Sequence, residues 1–261
     1  MAGILLVFGG ATASAQDEAT NNGEDLTRPL NRFDVRLQYE TLPDIDEFHE
    51  EFDNRDQETL TLRSDLVFFQ KPDQIGLRID LPIIWNNKPN TENRTGSVQS
   101  GLGDLLFQAI YAHTFNDRWA AGIGTRWMFP TATGDAFGDG KWQVAPIGGF
   151  RCFVPEISNG TFAEMALWWD NSFGGNPKRS NLQYLIIKPQ FNLNLPHGWF
   201  VNSAPEIRSD YKTGKWFVPL DVMLGKKLGR HWVTSIEYRY GVVRGVDSYK
   251  NWIEARIGYF F

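Results

Sequence analysis

The chain has 261 residues, of which 42% are hydrophobic and 14% aromatic, with 10 Trp and 19 Phe. That length fits one large domain or two small ones, and no linker-like stretch divides it. A formal net charge of -5 without a dense basic tract excludes a general attraction to nucleic acid, and the lone Cys152 excludes an internal disulfide or a cysteine metal cluster.

Residues 3–15, GILLVFGGATASA, form an apolar stretch ending in small residues at alternate positions, which predicts a signal peptide or its remnant over 1–15, cleaved after Ala15. The stretch lacks the positive start of such signals, and a buried N-terminal strand or helix is the alternative. Residues 16–31, opening QDEATNNGED, read as a flexible acidic lead. Beyond Ala15 no run reaches the roughly 18 apolar residues of a helical membrane span.

From residue 32 a period of two takes over. In 250–261, KNWIEARIGYFF, Ile253, Ala255, Ile257 and Tyr259 share one face, while Glu254, Arg256 and Gly258 share the other. Helical spacing would scatter charges over the apolar side, whereas strand spacing separates the two sets. The same alternation predicts strands over 32–40, 58–69, 74–85, 102–113, 118–129, 141–154, 161–171, 182–195, 198–209, 215–226, 231–242 and 250–261. Short connections alternate with longer, more polar ones. Twelve strands with this asymmetry make an all-β closed antiparallel transmembrane β-barrel of the bacterial outer membrane, spanning 32–261, with both termini periplasmic.

The polar faces decide which side meets lipid. They carry Arg36, Arg63, Arg78, Arg126, Arg151, Lys188, Arg208, Arg239 and Arg256, with Asp80, Glu164, Glu206, Asp221, Glu237 and Glu254 as counterparts. Charges are tolerated in a wet, mutually paired lumen and are costly in a dry core, so these are the expected pore-lining residues and the apolar stripe faces lipid. Trp85, Trp119, Trp142, Trp199, Trp216, Trp232 and Phe261 fall at strand ends, where interfacial girdles belong. Pro82, Pro146, Pro189, Pro205 and Pro219 conflict with the pattern, since each removes a ladder donor, and bulges or inward-folded segments are expected there.

The segment PTATGDAFGDGKW, 130–142, invites a phosphate or metal reading. It lacks the spacing of a phosphate loop, and Asp135 and Asp139 lack the remaining carboxylates of a calcium loop, so a glycine-shaped hairpin is preferred. The four histidines, His49, His113, His197 and His231, sit in loops or near turns, outside any convincing catalytic constellation. No cofactor or metal is implied.

The central block Gly101-Leu102-Gly103-Asp104-Leu105, Gln108 to Tyr111, Pro130-Thr131, Thr133-Gly134-Asp135, Gly138, Gly140, Lys141-Trp142-Gln143 and Pro146 resembles the signature of the outer-membrane channel family named for the MetA pathway of phenol degradation. Val144-Ala145 and Asp139 depart from that signature. The resemblance implies a twelve-stranded barrel that moves small hydrophobic or aromatic molecules. It marks Asp104, Gln108, Lys141 and Gln143 as lumen or loop-packing positions. The combined expectation is a channel for passive uptake of small solutes, with hydrophobic, aromatic and anionic ones all admitted. A closed structural or adhesion barrel and an outer-membrane lipid hydrolase are the alternatives. Expected partners are outer-membrane lipid and lipopolysaccharide, the solutes themselves and the outer-membrane insertion machinery.

Overall fold

The structure is a computed structural model that describes residues 21–42, 56–88, 93, 95–246 and 248–261. The expected signal peptide, His49 and most of the first long loop lie outside the described residues.

The strands are β1 (Arg32–Thr41), β2 (Asp56–Phe68), β3 (Asp73–Asn86), β4 (Gln99–Leu102), β5 (Leu105–Thr114), β6 (Trp119–Phe129), β7 (Lys141–Phe153), β8 (Phe162–Gly175), β9 (Gln183–Asn194), β10 (Trp199–Ser203), β11 (Ile207–Asp210), β12 (Lys215–Leu228), β13 (Trp232–Arg244) and β14 (Asn251–Phe260). Both β4 and β5 pair with β3, and both β10 and β11 lie between β9 and β12. Each of these pairs is one interrupted strand of the wall, which leaves twelve wall strands, all antiparallel to their neighbours. Closure comes from β1 against β14, with Arg32 opposite Phe260 at one end and Thr41 opposite Asn251 at the other. In hydrocarbon no water can satisfy a free backbone donor, so a sheet that spans it must close in this way.

The period of two decides what faces where. Along β14, Trp252, Glu254, Arg256, Gly258 and Phe260 are buried, while Ile253, Ala255, Ile257 and Tyr259 are exposed. Ile123 and Leu220 are 66% and 65% exposed, which inverts the soluble rule and marks the outer wall as a lipid-facing surface. Trp119, Trp142, Trp199, Trp216, Trp232 and Phe261 also point outward near strand ends. The short turns gather at one rim and the longer connections at the other.

All five prolines sit at defects in the ladder. Pro82 lies where β3 changes partner from β5 to β4, and Gly103 N donates to its carbonyl at 2.9 Å. Pro146 lies in the unpaired gap between Val144 opposite Asn171 and Ile147 opposite Trp168. The register shifts beside Pro219, between it and Val218. Pro189 and Pro205 face the same interruption, bounded by Phe191 opposite Ser203 and Ile187 opposite Ile207. There Asp221 Oδ1 accepts from Ala204 N at 2.7 Å, so a carboxylate replaces a missing ladder partner.

One correction concerns the N-terminal lead. Residues 21–31 are not a flexible tail: Asn21, Asn22, Asp25, Thr27 and Arg28 are buried inside the barrel at the short-turn rim. Leu30 packs there against Phe200, Met223, Val233 and Phe260, an apolar cluster on one side of this end of the lumen.

Gly225 serves that cluster, because a Cβ there would stand 2.1 Å from Phe200 Cζ. Gly225→Val should cost about 1–3 kcal/mol by overpacking. Equilibrium urea unfolding should show this loss, and the double variant with Phe200→Ala should be more stable than the sum of the two single losses allows.

Candidate functional site

Between the two rims the barrel holds a cavity of about 1600 Å³. Gly23, Glu24, Asp25 and Leu26 form its floor, and residues 133–139 fold over it from the opposite rim. Its wall includes Arg36, Arg63, Arg78, Asp80, Asp104, Gln108, Arg126, Glu164, Lys188, Glu206, Arg208, Glu237, Arg239 and Glu254. Fourteen of the nineteen expected lumen positions therefore border this space.

The other five do not line it. Arg151 and Arg256 are buried beneath the floor, Lys141 and Gln143 are buried behind the inward loop, and the Asp221 carboxylate is buried in the wall interruption. Arg151 Nε lies 3.3 Å from Asp25 Oδ2 and donates to Thr27 Oγ1 at 3.0 Å. Lys141 Nζ donates to Asn181 Oδ1 at 3.0 Å, and Gln143 Nε2 donates to Asp139 Oδ2 at 2.8 Å.

The floor is held by charge. Arg256 pairs with Glu24, and Arg32 NH1 donates to the Gly23 carbonyl at 2.7 Å. From the facing wall, Glu164 Oε2 accepts from Leu26 N at 3.1 Å, and Asn22 Nδ2 donates to Asn192 Oδ1 at 2.7 Å. Beneath these, Asp34 is fully buried, 2.9 Å from Arg36 NH2 and 3.1 Å from Arg256 Nε. Burial pushes the Glu24 carboxyl up, but Arg256, followed by Arg36, Arg32 and Lys188, outweighs it and holds the group at about 2. Removing one partner from such a network would strand a charge, which makes the pairs interdependent.

The wall charges are largely self-neutralising. Arg63 grips Asp80 with bonds of 2.8 and 2.7 Å, Arg78 Nε reaches Asp65 at 2.8 Å, and Arg36 NH1 reaches Glu254 at 2.9 Å. Arg239 is held by Asp221 at 2.8 Å and Glu237 at 2.6 Å. Glu206 stands 3.6 Å from Lys188 and 3.7 Å from Arg208. Arg126 differs, donating only to the neutral Gln108 Oε1 at 3.2 and 3.1 Å, with its guanidinium 4.2 Å from the centre of the Trp168 ring. The lumen wall is thus an alternation of paired charges with one local exception.

Sequence reading missed Asp34, Asp65, Trp168 and Trp252 as inward residues. Parity could have found the first two, since Asp34 precedes Arg36 and Asp65 follows Arg63 by two positions. The floor had no such signal, because its contacts join positions up to 234 residues apart.

The glycine-rich segment 130–142 has a structural explanation. Asp104, in the gap between β4 and β5, accepts from Ala132 N at 3.0 Å and Asp139 N at 2.8 Å, and Asn86 Nδ2 donates to the Ala136 carbonyl at 2.9 Å. A Cβ on Gly101 would lie 2.4 Å from the Phe137 ring, so glycine is what lets that ring dock. The loop folds over the cavity, and Trp142 points outward against Phe129 in an edge-on contact at 5.5 Å.

His113 and Tyr111 both reach Asp73 on the outside of the short-turn rim. His231 Nδ1 lies 2.8 Å from the Phe260 carbonyl oxygen, and Cys152 Sγ lies 3.5 Å from the Phe153 carbonyl oxygen.

No protein-family model and no curated protein matches the chain. Among solved structures, it is similar to an outer membrane channel from Pseudomonas putida F1, with a TM-score of 0.68 and 10% identity over 92% of this chain and 99% of that one. It is also similar to the NanC porin, with a TM-score of 0.54 and 15% identity over 88% and 98% of the two chains. For the KdgM porin the TM-score is 0.53, with 10% identity over 88% and 99%. At such identities the likeness shows the outer-membrane barrel fold; the phenol-degradation pathway implied by the central block has no counterpart in it.

Asp104→Ala would leave the Ala132 and Asp139 amides without their acceptor, at about 1–3 kcal/mol each if they stay buried. Hydrogen exchange should accelerate in 131–140 while strands β6–β9 keep their protection.

Proposed function

We propose that this chain is an outer-membrane channel for passive uptake of small solutes, with its termini and short turns on the periplasmic side. The observation that carries the reading is the cavity of about 1600 Å³ lined by charged side chains within a closed, lipid-facing wall. A barrel that served only as an anchor could pack its middle with apolar side chains, as Phe200, Met223, Val233 and Phe260 pack one side of its short-turn end. Instead the middle keeps polar groups facing shared space, an arrangement suited to a solute that exchanges water contacts for wall contacts. Small polar, aromatic and anionic solutes all suit a wall that mixes paired charges with Trp168, Tyr249 and Trp252.

Passage to the periplasm requires the floor to shift, since residues 23–26 lie across the route. A closed structural barrel is the second reading, favoured by the same floor. Planar-bilayer recording separates the two. The full chain should give small discrete conductances, and a variant lacking residues 21–31 should give larger ones. Silence in both proteins across voltages and salts would leave the closed barrel as the better account.

Acid should act on the same floor. When released, Glu24 would titrate near its ordinary 4.5, and when seated it titrates at about 2, so its contribution is complete above pH 4.5 and lost as pH falls toward 2. Conductance should rise across that window, and Glu24→Gln should show the higher level already at neutral pH. An unchanged level in Glu24→Gln would detach the floor from gating.

A further inference from the structure

We propose that Arg126, Lys188 and Trp168 form a binding site for a small monocarboxylate on the lumen wall. The proposal deepens the channel reading and rests on it for the route by which the solute arrives.

Arg126, on β6, is the exception among the lumen arginines described above. Arg63, Arg78, Arg36 and Arg239 each reach a carboxylate at 2.6–2.9 Å, whereas Arg126 has only the amide oxygen of Gln108. Among the described residues no carboxylate comes within 4.0 Å of it. The acidic groups whose charge acts on it are Glu206, Asp80 and Asp170, and Asp80 is already gripped by Arg63 through two bonds. Glu206 is shared between Lys188 and Arg208 at 3.6 and 3.7 Å, both longer than a hydrogen bond. Arg208 Nε is buried and has no hydrogen-bond partner. Among the described residues Glu206 is thus the one carboxylate within 4.0 Å of Arg126, Lys188 or Arg208, and it touches only the latter two, which leaves Arg126 open to a further negative charge.

Trp168 supplies the platform. Its side chain is buried, with the Arg126 guanidinium 4.2 Å and the Lys188 ammonium 5.4 Å from its ring centre. The ring fixes two cations beside it and borders the cavity at its edge. A guanidinium presents a planar fork that matches the two oxygens of a carboxylate, and the neighbouring ammonium adds a point charge. Arg126, Lys188, Arg208 and Trp168 all border the cavity, so a solute within it meets them without crossing the wall.

The test uses the full chain purified in detergent, titrated calorimetrically with butyrate and benzoate and, as neutral shape controls, butyramide and benzamide. Saturable binding of the acids is expected, with the amides at least about tenfold weaker, the loss of one charge-assisted contact. Arg126→Gln and Lys188→Gln should each weaken acid binding about tenfold. Arg118→Gln, at an exposed turn where Arg118 pairs with Glu156, should bind as the parent does. Neither site substitution strands an acid, because Arg126 pairs with none and Glu206 keeps Arg208. If Arg126→Gln nevertheless fails to insert, Lys188→Gln decides. Equal binding of acids and amides, parental affinity in the site variants, or no saturable binding of either acid would overturn the proposal. Bilayer recording in parallel keeps the two readings apart: a conducting protein that ignores carboxylates loses the site alone, and a silent protein that binds them loses the channel alone.

Discussion

A strand that meets hydrocarbon on one face must place every charge on the other. Closing twelve such strands into a tube gathers those charges into one enclosed space, where each must find a partner, a water or a vacancy for something else. Much of the interior follows from that constraint. Arg63 with Asp80, Arg36 with Glu254 and Arg239 with Asp221 join neighbouring strands, so the network inside reinforces the backbone ladder outside. Asp34, sealed from solvent, ties arginines of the first and last strands together where the barrel closes.

The departures from regular geometry are placed where they do other work. Each proline interrupts the ladder, and two of the interruptions recruit a carboxylate. Asp221 serves the gap between β10 and β11, and Asp104 serves the gap between β4 and β5. In the second case the defect is also a docking point, since the freed wall position captures the amides of the loop that covers the cavity. The glycines of that loop and of Gly101 then read as spatial necessities rather than as a phosphate or ion motif.

The wall was legible in the sequence because its signal is local. Alternation along residues 250–261 can be read without knowing any partner, and the same holds for the inward set from Arg36 to Arg256. The prolines were legible as defects, although not what repaired them. The floor was opaque for a physical reason: NNGED, residues 21–25, looks like part of a solvated acidic tail, and only Arg256, Arg151 and Asn192, brought in from distant strands, make it a buried one. Trp168 and Trp252 were obscured in another way, because tryptophan in such barrels is expected at the interfaces and these two turn inward.

The N-terminal segment touches walls that face each other. On one side it is held by Arg32 of β1 and Arg256 of β14, and on the other by Arg151 of β7, Glu164 of β8 and Asn192 of β9. In a ring of twelve, β8 stands six places from β1, so residues 22–28 span a diameter. The segment is therefore a cross-brace as well as a floor. A tube braced this way resists flattening at that rim, and any event that loosens the brace changes the shape of the whole cross-section as well as the clearance at its centre.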